Sequence, residues 1–195
     1  VSPGAPDVTT AGGLTAEEKQ ALLRAARESI AAHFERRRPL LPVATGALAE
    51  NRGAFVTLRR EGELRGCVGM MHSDRPLLET VARMAIASAT EDGRFERVTE
   101  AELPGLAIEI SALGPLAPIR PDEVEVGRHG LLISCHGRRG VLLPQVPVEQ
   151  GWDRETFLAH TCRKAGLPPD TWRKPEVELL AFTAVVFGEQ VPEHS

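Results

Sequence analysis

The run Leu64-Arg65-Gly66-Cys67-Val68-Gly69 carries the densest chemistry in the chain. Cys67 is a nucleophile candidate, and Arg65, two residues earlier, shares its face if the run is a strand. A cation beside a thiol favours the thiolate, which is the reactive form. Gly66 and Gly69 leave gaps in such a strand, and gaps of this kind mark a bulge or the close approach of a ligand or another backbone. The competing reading is packing, because free cysteine is among the most buried residue types. On the first reading Cys67 is a catalytic residue and Arg65, Gly66 and Gly69 bind the ligand.

Other arrangements are thinner. His160 and Cys162 lie two apart on a helical stretch and point to opposite sides, Cys135 and His136 do the same on a strand, and His72 follows Cys67 by five residues. With no CxxC, HExxH or Asp-rich loop, neither a metal nor a cofactor is expected. GxGxxG, GxxxxGK and GxSxG are absent too, which removes the anchors of dinucleotide, P-loop and α/β-hydrolase readings. Glu109 and Ser111 share a strand face that reads as solvated. Leu143-Pro144-Gln145-Val146-Pro147 loses two backbone donors to proline and reads as an exposed or edge segment. Gln145 and Trp152 could line a groove there, with Trp152 as plain core the competing reading.

The elements that position these residues can be read from periodicity and caps. Thr15-Ala-Glu-Glu18 is a capping box, and Leu22, Leu23, Ala26, Ile30 and Phe34 follow at helical spacing, so a helix is predicted over 15–36. Arg36-Arg37-Arg38-Pro39 reads as its solvated end. Strands are predicted over 54–58 and 64–70, joined by a hairpin at Gly62. A helix capped by Asp74 runs to about Thr90, Asp92-Gly-Arg-Phe95 is a turn, and Thr99-Glu-Ala-Glu102 caps a short helical turn before Pro104. Leu106–Leu113 alternates as a half-buried strand. Pro115, Pro118 and Pro121 then mark a boundary near 114–122. A second hairpin spans 130–143, Asp153 caps a helix ending at Gly166, and Val177–Phe187 reads as one central strand. The class is α+β, with a largely antiparallel or mixed sheet and flanking helices.

Composition sets the outer limits. The chain has 195 residues, 42% of them hydrophobic and 26% charged, an ordinary globular balance. A net charge of −4 and the absence of tyrosine argue against a general nucleic-acid binder. Cys67, Cys135 and Cys162 are odd in number and widely spaced, which suggests a reducing compartment. No membrane-length apolar run occurs. The expectation is a soluble cytoplasmic protein with loosely held ends over 1–12 and 189–195.

Taken in order, Leu64-Arg-Gly-Cys-Val-Gly69, Asp92-Gly-Arg-Phe95, Glu102-Leu-Pro104, Leu143-Pro-Gln-Val146, Glu149-Gln-Gly-Trp-Asp153 and Thr161-Cys-Arg-Lys-Ala-Gly166 resemble the AMMECR family over nearly the whole chain. The resemblance implies one AMMECR-type domain over 13–188, made of two lobes with a cleft between them and the Arg-Gly-Cys strand in that cleft. By motif match, Arg65, Gly66, Cys67 and Gly69 carry over as cleft residues, with Asp92, Arg94, Gln145 and Trp152 as neighbours. It also implies work beside a MEMO-like protein and a radical SAM enzyme, the AmmeMemoRadiSam system. It supplies no reaction. An enzyme or enzyme component with a small-molecule or modified-residue site at Cys67 stands against a non-catalytic module that docks on protein or nucleic acid.

Overall fold

A computed structural model describes residues 13–189. The expectation of loose ends over 1–12 and 190–195 lies outside the described residues. Glu189, placed in the loose end by sequence, is held firmly. The Arg27 guanidinium donates to both its carboxylate oxygens and to the Leu103 and Leu106 carbonyls, and Ile108 N–H donates to the same carboxylate.

The chain divides into two compact units: one runs to Leu113 and resumes at Val185, and the other is Gly114–Ala184. The first opens with helix α1 (Ala16–Phe34), whose Thr15/Glu18 capping box is formed as predicted. Strands β1 (Ala54–Arg60) and β2 (Glu63–Met70) follow as an antiparallel pair. Their turn is only Glu61-Gly62, tighter than the predicted link, and both residues have positive φ (52° and 83°). That geometry matches the right-handed twist of the flanking strands.

Helix α2 (Leu77–Thr90) starts later than expected. Asp74 is exposed and does not cap it. Ser73 Oγ instead accepts from Arg75 N–H and the Thr80 hydroxyl, while Leu77 N–H donates to Glu50. After the Asp92 turn and a short 3-10 helix (Glu100–Gly105), strand β3 (Leu106–Leu113) pairs antiparallel with β1. Its alternation reads correctly: Ala54, Val56, Leu58, Ile108 and Ile110 form one buried face, packed with Leu22 and Ile30 of α1 and Val81 and Ala85 of α2. The opposite face carries Phe55 and Thr57 of β1, Cys67 and Gly69 of β2, and Glu109 and Ser111 of β3.

The second unit contains β4 (Ala117–Pro118), the β5 (Gly130–Cys135) and β6 (Arg138–Leu142) hairpin, helices α3 (Gln145–Glu149) and α4 (Arg154–Lys164), and β7 (Glu178–Phe182). Its sheet runs β4-β7-β5-β6 with every pair antiparallel. Phe157, Leu158 and Cys162 of α4 pack on Leu131, Ile133 and Leu179.

Two expectations fail here. The 143–147 segment is no edge strand, because Gln145–Glu149 is helical and Pro147 is buried within it. In the first turn of a helix N–H groups have no intrahelical acceptor, so proline there loses nothing. The Val177–Phe187 run is also not one strand. It breaks at Thr183, whose carbonyl accepts from Gly114 N–H, and continues as β8 (Ala184–Gly188). Strand β8 flanks β3 in the first sheet, ordered β2-β1-β3-β8. The class is α+β, built on two antiparallel sheets rather than one.

Candidate functional site

Cys67 sits near the middle of β2, an edge strand, and is partly exposed. Its backbone turns away from β1: its N–H donates to Asp92 (2.8 Å) and its carbonyl accepts from Arg94 (3.3 Å). Cys67 and its register partner Thr57 are thus a non-hydrogen-bonded pair, the kind that brings side chains closest. The Thr57 hydroxyl accordingly donates to Sγ at 3.3 Å.

One pair further on, the ladder is opened by a side chain. Val68 N–H donates to Ser88 Oγ (2.9 Å), and that hydroxyl donates on to the Val56 carbonyl (2.7 Å). A helix hydroxyl thus relays a cross-strand hydrogen bond, which requires α2 to lie hard against β2. Gly66 permits this. A Cβ there would run into the Ser88 carbonyl oxygen. Gly69 has a parallel reason, since a Cβ there would run into the Phe55 ring. Of the causes the sequence allowed for these gaps, close approach of another backbone holds at Gly66, and at Gly69 the space is taken by a neighbouring side chain.

Arg65 is drawn away from the thiol. Its Nε and Nη2 grip the Glu102 carboxylate (2.9 and 3.2 Å), and Nη1 and Nη2 also donate to the Glu96 and Arg97 carbonyls. All three guanidinium nitrogens are committed to the 96–102 segment. The hydrogen bond from Arg65 is the main cause that holds the Glu102 carboxyl down at about 2. Arg65 is thus an anchor of the strand rather than the cation of the thiol.

The guanidinium that does reach Cys67 is that of Arg94, whose Nη2 donates to the Cys67 carbonyl. Asp92 grips its guanidinium through both carboxylate oxygens (2.9 and 2.7 Å) while also accepting from Cys67 N–H and Arg94 N–H. The hydrogen bond from Arg94 is the main cause holding the Asp92 carboxyl well below its usual range. The Arg94 guanidinium is raised in turn, chiefly by its hydrogen bond to Asp92. Asp92 is 7% exposed and Arg94 is 59% exposed, so the carboxylate is the hidden member and the guanidinium faces outward.

Gln145 and Trp152 belong to the second unit. Gln145 is the first residue of α3, and its buried Oε1 has no hydrogen-bond partner. Trp152 stacks on His160 with ring centroids 3.9 Å apart and is neither fully buried nor fully exposed. His72 is exposed beyond the end of β2. Among the described residues no three His, Cys, Asp or Glu side chains are grouped to hold a metal ion, and no helix is long and apolar enough to cross a membrane. All three cysteines are free.

Sequence reasoning missed Thr57 and Ser88. Neither sits in a motif, and only the strand register and the placement of α2 bring them to Cys67 and Val68.

The AMMECR1 family model matches residues 23–187. The chain belongs to the AMMECR1 family. Protein MK0488 of Methanopyrus kandleri is 43% identical over 191 residues, covering 92% of each chain. Protein TK0174 of Thermococcus kodakarensis is 42% identical over 184 residues, 88% of this chain and 90% of its own. The crystal structure of uncharacterized protein PH0010 from Pyrococcus horikoshii superposes with a TM-score of 0.78 at 41% identity, covering 89% of this chain and 92% of that one. The matched span of the AMMECR1 family contains β2, the Asp92 turn and β3, and so every residue placed around Cys67 above.

Proposed function

We propose that this AMMECR1-family protein binds an anionic small molecule or modified residue at Cys67, with the sulfur as nucleophile. In this reading it works inside the cell beside a MEMO-like protein and a radical SAM enzyme, the partners the family resemblance implies. One observation carries the reading of the site. A partly exposed sulfur accepts from the Thr57 hydroxyl, and an outward-facing guanidinium, Arg94, is held at the backbone carbonyl of the same residue. Arg94 therefore takes the anion-holding role that sequence gave to Arg65. With Nε and Nη2 held by Asp92, Arg94 has Nη1 left to donate to a carboxylate or phosphate oxygen.

The test is complementation of a deletion strain, with folding checked in parallel. Cys67→Ala removes the sulfur and is expected to abolish function while leaving the unfolding midpoint nearly unchanged. Full complementation by that variant sinks the nucleophile. A second reading, a non-catalytic docking module, draws on the structural use of Arg65, Gly66 and Gly69, which serve the sheet itself. It expects Cys67→Ser to complement fully and the protein to co-purify with its partners through any Cys67 substitution.

A further inference from the structure

Directly across the sheet from Cys67, beyond Thr57, stands a carboxylate the proposed function does not use. Thr57 pairs with Cys67 on one side and with Glu109 on the other, so the three side chains share one face in a single row. Adjacent strands lie ~4.8 Å apart, which puts the Cys67 and Glu109 positions roughly 10 Å apart. Arg94 extends the same row past the free edge of β2. Read across the sheet, the order is guanidinium, thiol, hydroxyl, carboxylate.

Glu109 is available to a ligand. It is partly exposed, and among the described residues its carboxylate makes no ion pair. The neighbouring strand offers no side chain beside it: the position nearest Glu109 on β8 is Gly188, where a Cβ would lie 3.6 Å from the Glu109 Cβ. Arg59, two pairs along and so on the same face, is exposed and makes no ion pair with Glu109. At the other end, Asp92 holds Arg94 through Nε and Nη2 and offsets part of its charge, which leaves Nη1 of the 59% exposed guanidinium as the donor for a ligand. The Phe55 ring, laid over Gly69 two pairs away, gives the row an apolar flank.

We infer that the ligand of the Cys67 face is bipolar: an anionic group held by Arg94 beyond the edge of β2, an amine held by Glu109 about 10 Å from Cys67 on the other side, and the atom between them presented to the sulfur. The inference rests on the reading of Cys67 as a binding centre and names the ligand class that reading leaves open. A plain carboxylate or phosphate uses only half of the row, whereas an extended zwitterion uses all of it.

Charged thiol reagents test this with Cys67 itself as the reporter, since Cys135 and Cys162 are 4% and 0% exposed. Rates of Cys67 modification are measured by peptide mass mapping with three methanethiosulfonates: neutral methyl, cationic aminoethyl and anionic sulfonatoethyl. Dividing by the neutral rate removes any change in the thiol's own reactivity. Arg94→Gln is expected to slow the anionic reagent at least fivefold relative to the neutral one. Glu109→Gln is expected to slow the cationic reagent by a similar factor and speed the anionic one. The exposed substitution Glu17→Gln, on α1 against the opposite face of the sheet, should move neither ratio. In the unmodified protein, high salt should draw both ratios toward the values the same reagents give with a small free thiol. Ratios that stay within twofold in Glu109→Gln, with Cys67 still reactive, overturn the bipolar row and leave the Cys67 reading standing. A native Cys67 that reacts with none of the three reagents overturns both.

Discussion

If Arg65 holds β2 in place, the energetic signature belongs to Glu102. A carboxyl held at about 2 instead of its ordinary 4.5 contributes at most about 3 kcal/mol of stability at neutral pH. The pair is 18% and 14% exposed, so screening trims this modestly, and Gln can still accept some of the same hydrogen bonds. Glu102→Gln is therefore expected to cost about 2 kcal/mol at pH 7, or about 1 M in urea midpoint at a slope of ~2 kcal/mol per M. The sign follows from the folded value lying below the unfolded one. The contribution is complete above about 4.5 and is lost as pH falls toward 2, with roughly half or more gone by pH 3. Urea titrations at pH 7, 5 and 3 should thus show a gap between wild type and variant that closes with acid. Trp152 and Trp172 both lie in the second unit, so fluorescence follows that unit, and far-UV circular dichroism with hydrogen exchange in residues 63–70 must follow the first. A gap of equal size at pH 7 and pH 3, or one below about 0.5 kcal/mol at pH 7, refutes the anchoring role of the Arg65–Glu102 pair.

Gly66→Ala should cost about 1–3 kcal/mol by pushing α2 off the sheet, read as a melting-temperature drop of roughly 4–10 °C, while Gly105→Ala, where nothing lies within 4 Å, should stay within about 0.5 kcal/mol. Unchanged stability in Gly66→Ala would return that glycine to the ligand. Ser88→Ala strips the relay from Val68 N–H and the Val56 carbonyl, at about 1–3 kcal/mol, with faster exchange of the Val68 amide as its local mark. Arg27→Met should cost about 1–2 kcal/mol and speed exchange at Ile108, whose amide rests on the Glu189 carboxylate that Arg27 orients.

Local chemistry made much of the fold legible. The capping boxes at Thr15 and Thr99, the Asp153 cap and the Gly166 stop are each decided within a few residues of sequence, and all four form. The break at Thr183 was not legible, because Val177–Phe187 is uniformly apolar and strand-like, and only tertiary pairing shows that its halves serve different sheets. The site divides in the same way. The i, i+2 rule correctly leaves Arg65 and Cys67 on alternate positions of one strand, but it cannot say where a long side chain finds its acceptor. Glu102 captures Arg65 from 37 residues away, whereas Arg94 reaches the Cys67 carbonyl from a turn that only the family resemblance, and not its local sequence, places beside Cys67. Glu109 was visible as half of a polar strand face, and its meaning waited on register with Thr57.

The return of β8 to the first sheet has a consequence for synthesis on the ribosome. The first three strands and both long helices emerge well before residues 184–189, and all of Gly114–Ala184 is translated in between. Until then the outer flank of β3 has no neighbour, and Arg27 has no carboxylate to close on. The contiguous second unit can complete itself from local pairings in the interval. The order of completion is therefore nested: the domain begun first is finished last, and nascent chains stalled before residue 184 carry an open β3 flank that chaperones, or other stalled chains, can find.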